Sequence, residues 1–68
     1  MIRHYAIMGH MHLEECTPWI NDDRLAVVVG DDPRALDEAV RITKMYKDGG
    51  YSAFILDVDN NIEITVAS

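Results

Sequence analysis

Sixty-eight residues, 49% of them hydrophobic and 26% charged, suit one small globular domain rather than a disordered chain, and so small a core leaves stability marginal or helped by association. Twelve Asp and Glu against six Lys and Arg give a formal net charge of -6, which opposes direct contact with nucleic-acid phosphates and favours either a basic partner or plain solubility. Apolar runs are too short to cross a membrane, the N-terminus shows no basic leader with an apolar core behind it, and the lone Cys16 has no thiol partner, so a cytoplasmic protein without disulfides is expected.

Residues Ile2 to Leu13 read as a strand in which Tyr5, Ile7, Met11 and Leu13 alternate with His4, His10 and His12, with Gly9 as the place for a bulge or kink. Glu14 to Asp23 is rich in turn formers, with Thr17-Pro18 and Asn21-Asp22-Asp23, and reads as a loop. Arg24 to Val29 follows as a β-branched core strand.

The strongest local signal is the helix within Asp31 to Gly50. Pro33 suits the first helical position, Asp32 is placed to cap it, Lys44 and Lys47 complement the dipole near its end, and Gly49 with Gly50 stops it. Ala35, Leu36, Ala39, Val40, Ile42, Thr43 and Tyr46 share one side of the wheel, with Leu36 and Val40 near its middle, and charged residues take the other. Tyr51 to Val58 and Ile62 to Ala67 then form a hairpin about Asp59, Asn60 and Asn61, with Phe54, Leu56, Val58, Ile62, Ile64 and Val66 expected on the buried side. The expected fold is α+β: ββαββ, a mostly antiparallel four-stranded sheet with one helix on one face, in one domain over residues 1–68.

Chemistry-bearing residues are few. His10, His12 and Glu14 are spaced by two and would share one face of a straight strand, which suits a zinc site, although a wet strand face also needs polar residues at alternate positions. Asp57, Asp59, Asn61 and Glu63 begin like a calcium loop, but Ile62 and Ser68 stand where that loop needs glycine and glutamate, and a hairpin turn accounts for the same residues. No serine elbow or phosphate-cradling glycine loop occurs, so no enzyme and no cofactor is expected. The residues assigned to protein binding are Glu14, Glu15, Trp19, Asp22, Asp23, Asp31 and Asp32: paired acids at both ends of the second strand and a tryptophan of the kind that anchors interfaces.

The helix from Asp32 to Tyr46 with its following strand looks like part of HicB-type antitoxins, but that family's glycine- and proline-rich signature has no counterpart here. The whole-chain pattern, an acidic domain of fewer than eighty residues with strands on either side of one helix, resembles small phage-encoded anti-CRISPR proteins. That resemblance implies an inhibitor in the host cytoplasm that occupies a basic surface of a protein or ribonucleoprotein defence complex. A self-assembling accessory protein, pairing through a strand edge or the helix, and a small metal-binding protein using His10, His12 and Glu14 are the alternatives.

Overall fold

A computed structural model describes residues 1–11 and 22–67 of the chain. The elements run β1 (Ile2–Met11), β2 (Asp23–Asp31), α1 (Arg34–Asp48), β3 (Tyr51–Asp57) and β4 (Ile62–Ile64). Every pairing is antiparallel and the sheet order is β2-β1-β3-β4, so the α+β ββαββ architecture with one helix is the observed one. β2 and β3 are separated by β1, and α1, which joins them, therefore packs across all three strands on one face. The expected loop from residue 14, together with His12 and Leu13, falls mostly outside the described residues, and Asp23 belongs to β2.

Antiparallel neighbours place opposed side chains on the same face, and the register sorts the whole sheet by that rule. Tyr5 lies between Val28 and Asp57, Ile7 between Ala26 and Ile55, and Gly9 opposite Ala53. These are the residues under α1. Tyr5, Ile7, Val28 and Ile55 join Ala35, Ala39 and Val66 in the buried core, and Ile7, Ala39 and Ile55 have no exposed surface. The line of the helix that touches the sheet is Ala35, Ala39 and Thr43, small residues at i, i+4 and i+8 that let the backbones approach closely. Leu36, Val40, Ile42 and Tyr46 flank that line, half-buried, so Leu36 and Val40 do not form its middle as the wheel suggested. Thr43, buried within this contact, satisfies its hydroxyl by donating to the Ala39 carbonyl at 2.8 Å.

Several expectations are corrected. Phe54, Leu56 and Val58 do not lie on the helix face of β3; Ala53, Ile55 and Asp57 do, because register with β1 sets Ile55 beside Ile7 and Asp57 beside Tyr5. Val58 is 50% exposed and Ile62 55%, whereas Val66 is buried although β4 stops at Ile64; Lys47 Nζ donates to the Val66 carbonyl at 2.5 Å. Gly9 does not interrupt β1. A Cβ there would sit 2.2 Å from the Ser52 carbonyl oxygen and 2.9 Å from Ala53 Cα, so the glycine permits the close approach of β3, while the register irregularity belongs to β2, where Leu25 is the extra residue opposite Ile7 and Met8.

The helix ends also differ in detail from the reading of the sequence. Pro33 is the N-cap residue rather than the first helical one, with its carbonyl accepting from the Asp37 amide at 2.9 Å, and no side chain caps the helix. Asp32 does not serve as the cap because its carboxylate is turned toward β1. At the other end Gly50, with φ 93, takes the left-handed conformation, and Gly49, with φ -83, does not. Tyr46 and Tyr51 meet edge to face there, ring centroids 5.1 Å apart, and Tyr46 Oη donates to the Leu25 carbonyl at 3.2 Å.

Candidate functional site

The acids divide into those that hold the fold together and those that face outward. At the end of the sheet near the start of α1, Arg3 on β1 lies among Asp57, Asp32 and Asp59. Its Nη2 donates to Asp57 Oδ2 at 2.5 Å, and its Nε, which has no hydrogen-bond partner among the described residues, is 3.7 Å from Asp59 and 3.9 Å from Asp32. The Tyr5 hydroxyl donates to both oxygens of Asp32, at 2.7 and 2.9 Å. Asp57, only 6% exposed, also accepts from the Asn60 side-chain amide at 3.0 Å and its backbone amide at 3.3 Å, which is how an aspartate closes a turn on itself. Asn61 completes that turn in a left-handed conformation, φ 54, so the calcium-like string is the hairpin turn that its Asp and Asn content suggested.

These contacts set the titration behaviour. Hydrogen bonds from the Asn60 side chain, then from its backbone and from Arg3, hold the Asp57 carboxyl below its ordinary value against the opposing effect of burial. Asp59 is held down first by the His4 backbone amide, which donates to it at 2.9 Å, and then by the His4 and Arg3 side chains. Burial pushes the Tyr5 phenol up, and its hydrogen bond to Asp32 pushes it further, because the phenolate would lose that bond.

The residues assigned to protein binding are not brought into one site. Glu14, Glu15 and Trp19 lie outside the described residues. Asp22 and Asp23 stand at one end of β2 and Asp31 and Asp32 at the other, about 26 Å apart at the usual strand rise. Asp22 Oδ1 is 2.7 Å from His10 Nδ1, Asp32 is engaged by Tyr5, and Asp31, with a 72% exposed side chain, meets the N-terminal amine at 3.2 Å. Among the described residues no group of three His, Cys, Asp or Glu is arranged to hold a metal ion, and His12 and Glu14 of the supposed set fall outside them.

The arrangement that the sequence reading missed is the face of the sheet turned away from α1. Register places Ile2 opposite Asp31, His4 opposite Val29, Ala6 between Val27 and Leu56, Met8 between Arg24 and Phe54, and Glu63 beside Leu56 on this face. It is largely apolar: Ala6 at its middle is buried, Met8, Phe54 and Leu56 are partly covered, and Ile2, Val27 and Val29 toward its margins, like Val58 just past β3, are each at least half exposed. Asp31 and Glu63 border it on opposite sides. The signal was present in the strings LAVVV and AFIL, which are apolar at every position, because a strand greasy on both faces needs covering on both, and one helix can cover only one.

Two open hollows lie elsewhere. One, about 320 Å³, is lined by Arg41, Ile42, Met45 and Tyr46, and the other, about 580 Å³, runs along Gly30 to Arg34 past Asp31 and Asp32. Neither gathers a nucleophile with a base. Among the described residues no helix is long and apolar enough to cross a membrane. Comparison with known proteins gives no match to a family model, to a curated protein or to a solved structure.

Proposed function

We propose that this chain is a binding module without catalytic activity, which docks on a protein through the uncovered sheet face and recognises basic groups with the acids around it. One observation carries the reading: an apolar surface of Ile2, Val27, Val29, Phe54, Leu56 and Val58, half wet in the isolated chain, lies between the outward carboxylates of Asp31 and Glu63. Burial of the centre supplies affinity, and the rim, in a chain of net charge -6, steers encounter and selects a partner rich in Lys and Arg. In its finer form the reading is an inhibitor of the anti-CRISPR type, covering a basic nucleic-acid-binding surface of a defence complex; size, charge and element order support that form.

The experiment begins by capturing a host partner on the immobilised protein and identifying it by mass spectrometry, and then measures association rates across a salt series. Asp31→Asn with Glu63→Gln removes two exposed charges, whereas Asp32 is a poor probe because it also holds the Tyr5 hydroxyl. The double variant is expected to associate more slowly at low salt with little change at high salt, and Val58→Lys is expected to speed dissociation. A partner that bound both variants as the parent does, at every salt concentration, would sink the proposal.

A further inference from the structure

The two edges of the sheet are guarded very differently, and the less guarded one is β2. β4, at one edge, is three residues long, carries Glu63 and starts directly after the Asn60–Asn61 turn, which are common ways of making an edge unfit for pairing. β2, at the other, is nine residues long, contains no proline or lysine, and from Ala26 to Gly30 reads AVVVG; no described residue pairs with its outer side. Alternate backbone N–H and C=O groups along it are left pointing outward. The one irregularity, the extra residue Leu25, lies at its start and leaves Ala26–Asp31 regular.

We infer that β2 pairs antiparallel with β2 of a second copy, about a two-fold axis at Val28, joining two sheets into one of eight strands. Charge selects this register. Centring the pair on Val27 would set Asp23 against Asp31 of the other copy, like against like, and centring it on Val29 would set Val27 against Asp31. Centring on Val28 sets Val27 against Val29 of the second copy on the uncovered face and Ala26 against Gly30 on the helix face, where both are small enough for the strands to close. The extra residue Leu25 then has a use. It shifts Arg24 onto the face of Met8, and Asp31 stands on the same face opposite Ile2, so Arg24 of each copy comes alongside Asp31 of the other. Both side chains belong to exposed residues, and the contact occurs twice in a symmetric pair. The joined valines extend the uncovered apolar faces into one surface, and the inference stands whether or not the partner proposed above exists.

Pairing over about six residues is a small interface, so a reversible dimer is expected rather than an obligate one. Sedimentation equilibrium of the full chain from about 10 µM to about 1 mM should show a monomer–dimer equilibrium, with amide exchange slowing in Ala26–Gly30 as concentration rises. Arg24→Asp should weaken the dimer about tenfold because two like-charge contacts replace two opposite ones. Arg24→Asp combined with Asp31→Arg should restore it to within a few-fold, which a general disturbance of the fold would not do. Circular dichroism on each variant confirms that the chain is folded, and Val27→Lys with Val29→Lys, which abuts like charges across the axis, should leave a monomer. A parent that stays monomeric over the whole range, or a dimer that Arg24→Asp leaves unchanged or the charge exchange fails to restore, overturns the inference.

Discussion

Both faces of the sheet are made by the same strands, and each carries large apolar side chains, yet one is sealed by α1 and no element among the described residues lies over the other. Under the helix Ile7 and Ile55 have no exposed surface, and the opposing helix line is Ala35, Ala39 and Thr43. On the far side Val27, Val29 and Val58 are half exposed or more, although they are no less apolar. The difference teaches that burial here follows from the position of one crossover rather than from the residues of the strands. A β-branched residue is stabilised by its neighbours, and among the described residues the helix side alone has a second layer to supply them.

Deleting side-chain volume on the covered side should break this comparison most strongly. Ile55→Ala removes a fully buried side chain and should cost about 2–5 kcal/mol, enough to unfold much of a domain of this size in urea titration. A melting midpoint close to that of the parent would place the core elsewhere.

Next in size is the response to acid, which separates the polar end of the covered face from the rest. Asp57 and Asp59 have folded-state values below the ordinary 3.8, so the stability their ionised forms contribute is present above about pH 4 and is lost as pH falls through the lowered values. Thermal melts should therefore be level from about pH 5 to 7 and decline below about pH 4. Asp57→Asn should flatten that decline as well as lowering the plateau, since it removes the group that titrates; an unchanged acid slope would assign the loss to other carboxylates.

The smallest effect is expected on the uncovered face. Val58→Thr and Val27→Thr exchange exposed methyl groups for hydroxyls and should each change the stability of the isolated chain by no more than about 0.5 kcal/mol. Denaturant midpoints compared with that of Ile55→Ala give the contrast directly, and a large loss from Val58→Thr would mean that a further layer covers this side.

Parts of this architecture were legible in the residues themselves. The proline and glycines bracketing the helix, its apolar stripe, the Asp-Asn turn after β3 and the β-branched run of β2 each report a local preference, and the helix, the turn and the strand all appear in place. The acids were harder to read. Asp32 stands where a cap belongs, but the Tyr5 hydroxyl and Arg3, 27 and 29 residues away in the chain, draw its carboxylate across to the sheet. Gly9 looked like a break because a glycine in a strand often is one, and the close carbonyl of Ser52 that requires it comes from another strand.

The sequence by itself determined the elements, their order and the acidic balance, because turn chemistry, helix periodicity and charge depend on neighbours in the chain. Tertiary structure alone decided which side of β3 is inside. Along Ala53-Phe54-Ile55-Leu56 both faces are apolar, so alternation carries no preference, and the odd-numbered face was disfavoured by Asp57 until Arg3 and Asn60 were brought to it. A buried carboxylate is acceptable only where its partners are: the local turn supplies Asn60, and pairing β1 beside β3 delivers Arg3. The same pairing leaves the opposite apolar face and the long edge of β2 with no partner element among the described residues.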